Sequence, residues 1–296
     1  MRTNAPLWLS VVLQKVEDYK LLVKFRLSLL VVFSALGAFF IAKGGAISFE
    51  EFAVLGLGGF FVTGAANALN QILEKDYDRL MQRTANRPLP TGRMSVPEAI
   101  LSAGLMSIAG LALLASFNPM TSVLGSLSLL MYAFVYTPMK RVSPVAVLIG
   151  AVPGALPMMI GCVAAEGGLT GLAIVLFGIQ FLWQFPHFWA IAWVSYEDYA
   201  RAGFFLLPSP NGQRDKNTGL QSMFYAIGLV FLGFLPYLMG VVGIVSTVVL
   251  LASNLAYIYY AWKLYQDCSN EAARRLMFCS FFYLPVAMMA LALGTI

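Results

Sequence analysis

Long apolar runs, separated by short polar pieces, dominate the chain. A helix needs roughly 20 mostly apolar residues to cross the hydrocarbon core of a bilayer. Nine stretches have that character, at about 27–43, 52–73, 99–116, 119–137, 145–165, 170–194, 219–238, 241–262 and 275–295. The linkers Ser116–Met120, Ala165–Leu169 and Met239–Val241 leave room only for a reversal, so they predict antiparallel hairpins. No polar connection exceeds about 25 residues, too few for a soluble domain. The pattern predicts an all-α integral membrane protein with nine transmembrane helices. Residues 1–26 form a cytoplasmic amino-terminal segment, and 27–296 a single polytopic membrane domain.

Charge fixes the expected orientation. With the N-terminus inside, the inner pieces are 1–26, 74–98, 138–144, 195–218 and 263–274. Of the 19 Lys and Arg, all but Lys43 fall in these pieces or at their edge, from Arg2 to Arg275. Cytoplasmic loops collect Lys and Arg, and one span too many or too few would invert the pattern downstream. The C-terminus is therefore expected outside. The net charge of +5 is accounted for by topology and calls for no nucleic-acid partner.

Composition excludes several classes. Hydrophobic residues make up 59% and charged residues 11%, with a mean hydropathy of +0.77. Soluble domains have about 45–50% apolar and about 25% charged residues, so a soluble enzyme, a disordered chain and a disulfide scaffold are all excluded. Cys162, Cys268 and Cys279 form no CxxC and no metal spacing, and read as small hydrophobes. Residues 1–26 contain no short apolar run ending in a small-residue cleavage site. The expectation is a multi-pass protein of a prokaryotic cytoplasmic membrane. No span carries a charge near its centre, unlike ion-coupled transporters.

Chemistry instead gathers at the inner helix ends. The most informative stretch is Asn70 to Arg93, NQILEKDYDRLMQRTANRPLPTGR. Asn70, Glu74 and Asp78 follow at i, i+4 and i+8 and share one helix face, with Asn67 one turn earlier. Two carboxylates one turn apart can share a hard divalent cation, and Mg²⁺ is usually held by one or two carboxylates plus substrate phosphates. The amide of Asn70 can add an oxygen or hold a water. Asp76 points the other way. Arg79, Arg83, Arg87 and Arg93 follow, with Thr84 and Asn86 between. Arginine forks match phosphate oxygens bidentately. Pro88 and Pro90 stop any long helix and suggest a shaped loop. The other reading is an ordinary juxtamembrane basic loop with i,i+4 ion pairs.

Two more inner ends repeat the theme. Tyr136 and Lys140 lie at i and i+4, and Pro138 can bend this end. They read either as a phosphate-neutralising lysine beside a phenol that faces a reacting centre, or as an interfacial anchor with positive-inside lysine. In span six, Gln180, Gln184 and His187 form a polar stripe that Pro186 should kink. His187 is the only histidine. The stripe is either a functional face or a helix–helix hydrogen bond. In span five, Gly150 and Gly154 form a GxxxG, read as close helix packing or as a widened chamber.

Together these residues resemble the UbiA-type intramembrane prenyltransferase superfamily, and within it the haem-farnesylating branch. The likeness rests on Asn70-x-x-x-Glu74-x-x-x-Asp78, Arg83-Thr84-x-Asn86-Arg87-Pro88-Leu89, Tyr136-x-x-x-Lys140, Trp183-Gln184-x-Pro186-His187, and Asp198-Tyr199 leading to Leu207-Pro208. It covers about residues 25–290. Two departures stand out. Glu74 takes a position where Asp is common. Gln184 and His187 replace a second Asp-rich motif, which argues against quinone-type acceptors. The resemblance implies a helical bundle around a central cavity that opens to the cytoplasm. It implies transfer of farnesyl from farnesyl diphosphate to a vinyl group of haem b, with haem A synthase or terminal-oxidase assembly factors as partners. Asn70, Glu74 and Asp78 would bind Mg²⁺. Arg83, Arg87 and Lys140 would pair with diphosphate, with Thr84 and Asn86 in support. Tyr136 would lie near the allylic carbon. Gln184 and His187 would line the haem side, His187 as an iron ligand or a propionate partner.

Overall fold

The computed structural model describes residues 7–209 and 212–294. Arg2, counted among the inner charges, and Thr295, near the expected end of span nine, lie outside them. The long described elements are α1 (Leu7–Leu22), α2 (Phe25–Ala42), α3 (Phe49–Leu73) and α5 (Val96–Ala115), with a short α4 (Lys75–Asp78) between the last two. Next come α6 (Pro119–Leu130), a π-helical turn (Met131–Tyr136) and α7 (Thr137–Met139), which form one continuous rod. The remainder are α8 (Ala146–Glu166), α9 (Gly171–Val194), a short α10 (Tyr196–Arg201), α11 (Lys216–Leu238), α12 (Ile244–Asp267) and α13 (Asn270–Leu293).

Among the described residues nine helices, counting the α6–α7 rod once, are long and apolar enough to cross a membrane. Each coincides with an expected span. The chain is a multi-pass membrane protein. Stripes such as Leu101, Leu105 and Ile108 on α5, or Phe224 and Phe231 on α11, remain exposed. A water-soluble surface does not tolerate so much apolar area.

Helix ends differ from the apolar boundaries by up to five residues, for a physical reason. Hydropathy marks what lipid covers, whereas caps fix where helices start. Ser48 and Glu51 form a capping box ahead of α3. Ser95, Asp215 and Ser269 accept backbone N–H groups at the starts of α5, α11 and α13. These helices therefore begin three to five residues before the expected spans.

Neighbouring spans pack side by side around the bundle. α2 lies against α3 and α8, α3 against α5, and the α6 rod against α5 and α8. Beyond α8 the order runs α9, α11, α12, α13, and α13 returns to pack on α9 and meet α2. The ends of α3 and of the α6 rod bring Glu74 and Lys140 together.

The segment 1–26, expected as a mixed basic stretch, contains α1. Gln71 of α3 donates to the free carbonyls of Leu21 and Leu22 at the end of α1, at 2.7 and 2.8 Å. Buried Asp18 accepts from Arg93 at 2.8 Å, which clamps α1 to the basic loop. Arg93, expected among the phosphate-binding arginines, is thus committed to a structural pair.

At the contact of α8 with α2, a Cβ on Gly161 would stand 2.1 Å from the carbonyl oxygen of Ala35. Backbone cannot yield as a flexible side chain does. Overpacking of this kind costs about 1–3 kcal/mol. Gly161→Ala is expected to lower the melting temperature in detergent by several degrees; an unchanged melt would show that α2 and α8 have slack.

Candidate active site

The site begins with a break in α3. The helix ends at Leu73, and Glu74 adopts φ −100° and ψ 6° before α4 resumes. The i+4 backbone bonds survive the break: Glu74 N–H donates to Asn70 O at 2.9 Å, and Asp78 N–H to Glu74 O at 2.8 Å. Asn70, Glu74 and Asp78 therefore stay together, all buried. Asp76 points outward and pairs with Arg79 at the surface, as the helical phase requires.

Each buried carboxylate faces a cation from another part of the chain. Lys140, just beyond α7, donates to Glu74 at 2.8 Å. Arg87, from the loop after α4, donates to Asp78 at 2.6 Å. A third cation, Lys24, donates to Asn70 Oδ1 at 2.8 Å and to the Tyr132 hydroxyl at 3.4 Å. Asn70 passes the link on, its Nδ2 donating to Thr137 Oγ1 at 3.1 Å. Three cations thus surround two carboxylates. Burial raises the Glu74 carboxyl, but Lys140 and Lys24 outweigh it and hold the group below its usual range. Burial prevails at Asp78, which is raised despite Arg87. Burial, then Arg87 and Lys140, push the Lys24 ammonium well below its usual range. Burial also pulls Lys140 down, but Glu74 keeps it above its ordinary value.

Local structure explains why these groups arrive. A proline ring clashes with the carbonyl four residues earlier in an α-helix, here Phe134 ahead of Pro138. The rod widens into a π-turn at that point, and Thr137 N–H donates to Tyr132 O. The turn re-aims Tyr136 and Lys140, with Lys140 Nζ 4.7 Å from the centre of the Tyr136 ring. Lys24 occupies a left-handed backbone conformation, φ 48° and ψ 57°, between α1 and α2. Such a conformation costs a non-glycine residue about 1–3 kcal/mol. Asn67 braces it by donating to Val23 O and Ser28 Oγ at 3.3 and 3.2 Å.

Glycines of α8 make room for two of the side chains. A Cβ on Gly150 would stand 2.6 Å from the Tyr136 ring, and one on Gly154 would stand 1.9 Å from Gln184 Oε1. The GxxxG therefore admits side chains rather than a second helix backbone. Gln184 donates to Ala151 O at 3.0 Å on that same helix.

Other expected residues stand elsewhere. Thr84 is buried and its hydroxyl donates to Asp78 O at 2.9 Å, so it shapes the loop instead of facing an anion. Asn86 is exposed, and its carbonyl accepts from Arg93 at 2.8 Å. Arg83 is exposed too, 5.8 Å from the Tyr199 ring. His187 does not continue the Gln184 face: its Nδ1 lies 2.8 Å from Ser280 Oγ on α13. Three residues apart on a helix is short of a full turn, and Gln184 faces α8 while His187 faces α13. A groove of about 450 Å³ between α12 and α13, lined by Arg275, Phe278 and Phe282, contains none of these residues.

Lys24, Tyr132 and Thr137 escaped sequence reasoning. Lys24 was counted only as an inner charge, and a lysine at the very start of a span was the available signal. Asp198 acquires a clear task. Its carboxylate accepts from the backbone N–H groups of Gln82 and Arg83 at 3.3 and 3.4 Å, which fastens the basic loop to α10.

Comparison with known proteins places the fold. The model of the UbiA prenyltransferase family matches residues 31–284. The chain belongs to the UbiA prenyltransferase family. It is 47% identical to the protoheme IX farnesyltransferase of Cytophaga hutchinsonii, over 95% of this chain and 98% of that one. A solved UbiA homologue from Archaeoglobus fulgidus, bound to GPP and Mg²⁺, superposes with a TM-score of 0.70 at 19% identity, covering 93% of this chain and 99% of that one. A structure described for digeranylgeranylglyceryl phosphate synthase gives a TM-score of 0.80 at 20% identity, over 95% and 98% of the two chains. At these identities the solved structures establish the fold. The Asp198 clip is half-buried and fastens the basic loop by two backbone hydrogen bonds, and local opening sets the loop's protease sensitivity. Asp198→Ala is expected to speed tryptic cleavage after Arg83 several-fold, with little change in the global melt; unchanged cleavage would show that the clip does not hold the loop.

Proposed function

We propose that this chain transfers the farnesyl group of farnesyl diphosphate to a vinyl group of haem b, giving haem O and releasing diphosphate. The observation that carries the reading is the buried cluster of two carboxylates and three cations at one inner rim, in a chain so close to protoheme IX farnesyltransferases over nearly its whole length. Polytopic carriers place ionisable groups at mid-depth; here they sit at the helix ends.

The residues fit a magnesium-bound diphosphate. Asp78 Oδ1 is buried without a hydrogen-bond partner, an oxygen positioned to ligate. Among the described residues no group of three or more His, Cys, Asp or Glu gathers to hold a metal. The protein thus offers two carboxylates, Glu74 and Asp78, and phosphate oxygens complete the shell, the usual arrangement for Mg²⁺. Asn70 holds Lys24 and Thr137 in place, and its amide oxygen is the remaining candidate ligand. When bound, Mg²⁺ stabilises the negative charge that develops on the departing diphosphate.

The chain's own groups do the rest. Lys140, Arg87 and Lys24 form an anion-binding wall. Lys140 and Arg87 rest on the carboxylates and can transfer to phosphate oxygens when substrate arrives. Arg83 extends the wall from the exposed loop. Heterolysis leaves the C–O electron pair with diphosphate. The vinyl π electrons form the new carbon–carbon bond to the farnesyl C1. Water then adds to the resulting cation and loses a proton, which yields the hydroxyethylfarnesyl group. The Tyr136 ring face lies beside Lys140 and suits the allylic cation electrostatically. The apolar helices shield that cation from premature hydrolysis.

The orientation follows from charge. With Lys and Arg concentrated at one set of helix ends, the N-terminus and the site face the cytoplasm and the C-terminus lies outside. The membrane is the prokaryotic cytoplasmic one. Residues 27–296 form one catalytic domain, to which the segment 1–26 adds Lys24. Its product supplies haem A synthase and terminal-oxidase assembly.

Glu74→Ala with Asp78→Ala is expected to abolish haem O formation while the protein still inserts; mass spectrometry of extracted haems checks it, and full turnover would remove the metal–diphosphate reading. Removal of divalent metal with a chelator is expected to stop turnover, and added Mg²⁺ to restore it. A charge-assisted hydrogen bond contributes about 1.5–3 kcal/mol. Lys24→Met is therefore expected to weaken farnesyl diphosphate binding about 10–100-fold while haem b binding stays unchanged. Equal losses for both substrates would instead mark Lys24 as structural.

A further inference from the structure

The helix that precedes the first span has two unlike faces. α1 covers 16 residues, about 24 Å at 1.5 Å per residue. That is short of the roughly 30 Å hydrocarbon core, and α1 carries Gln14, Lys15, Glu17, Asp18 and Lys20. It is not among the helices long and apolar enough to cross a membrane. Trp8, Val12, Val16 and Tyr19 follow at steps of four, four and three, which aligns them in one stripe. All four are exposed, Trp8 to 66%. Ser10, Gln14 and Glu17 line the opposite side. Lys15 and Lys20 flank the stripe on either edge, where a long side chain lays its methylenes on apolar surface and keeps its ammonium in water.

Two contacts fix how α1 lies. Gln71, which holds the last carbonyls of α1, is two residues from the end of α3. Glu98, two residues into α5, accepts from Lys15 at 2.8 Å and from Tyr19 at 3.1 Å. α3 and α5 pack side by side, so both contacts stand at one depth, on the rim of the bundle. α1 therefore runs along the rim. Glu98 also decides on which side. Leu101, Leu105 and Ile108 follow it at steps of three, four and three, and they form an exposed apolar stripe of α5. α1 thus crosses the lipid-facing side of α5, one turn from the point where that stripe begins. Its own exposed stripe continues the lipid-covered surface. Water on Trp8, Val12 and Val16 would leave a contiguous apolar patch bare beside the bilayer. Tryptophan and tyrosine gather where hydrocarbon meets headgroups.

We propose that α1 is an interfacial helix, seated by Trp8, Val12 and Val16 at the hydrocarbon–headgroup boundary of the leaflet that borders the Glu74–Lys140 cluster. The partner is the phospholipid surface itself. The charges of α1 cancel, Lys15 and Lys20 against Glu17 and Asp18, so apolar area rather than anionic lipid provides the attachment. This seat depends on the membrane class of the chain and not on the reaction proposed above.

The full chain in phosphatidylcholine nanodiscs, which leave both faces of the bilayer open to solvent, tests the seat. The chain has five tryptophans, and the emission of the parent minus that of Trp8→Phe isolates Trp8. Phosphatidylcholine brominated near the headgroup end of its acyl chains is expected to quench that difference signal several-fold more than aqueous iodide does. Iodide quenching as strong as that by brominated lipid would place α1 in water and overturn the proposal. Protection from both quenchers would place protein, such as a second copy of this chain, on the stripe and overturn it as well. Val12→Asp with Val16→Asp is expected to lift α1, so that brominated lipid loses most of its effect on Trp8 and iodide gains several-fold. Unchanged quenching by brominated lipid in this pair overturns the role of the stripe. Lipid quenching that appears only when phosphatidylglycerol is added overturns apolar seating in favour of charge.

Discussion

Burying charge at a membrane rim is costly, and one end of this bundle is organised around that cost. An unpaired buried carboxylate loses several kcal/mol of hydration. Glu74 and Asp78 avoid this by facing Lys140 and Arg87. Those partners come from separate parts of the chain, so the pairs also bring together α3, the π-turned rod and the basic loop. Removing one member of such a pair costs about 3–5 kcal/mol. The cluster is therefore a structural knot as well as a chemical one.

The knot holds more basic than acidic side chains. Lys24 adds a third cation with only amide and phenol oxygens as partners. A buried lysine without a carboxylate partner is a poor way to stabilise a fold. The left-handed backbone at Lys24 points the same way, because strain of that kind persists where surrounding contacts enforce it. Asn67 and Gln71 supply those contacts through backbone carbonyls of the α1–α2 turn. The buried charge cluster and the packing of α1 are thus linked through one helix face, which carries Asn67, Asn70, Gln71 and Glu74.

The two substrates call for different surroundings. The proposed diphosphate region is charged and hydrogen-bonded at the helix ends. The region around His187 is aromatic, with Trp183 and Phe281 against the ring. Gln184 lies between these regions in sequence but turns toward α8, into space left by Gly154. Small residues on α8 thereby decide which span-six side chains point inward.

The sequence by itself determined the membrane class, the nine spans and the face shared by Asn70, Glu74 and Asp78. Hydrophobic length and helical phase are local properties that need no tertiary partner. Charge asymmetry supplied an expected orientation in the same local way, since each loop is counted separately. Other features depended on chain segments far apart in sequence. Neither Lys24 beside Asn70 nor Ser280 on His187 follows from spacing, because their separations of 46 and 93 residues are bridged only by packed helices, and Arg87 reaches Asp78 only through the shape of a non-helical loop. Tertiary structure likewise withdrew Thr84 and Arg93 from the anion site. Their donors satisfy buried acceptors, Asp78 O and the Asp18 carboxylate, that sequence could not show to be buried.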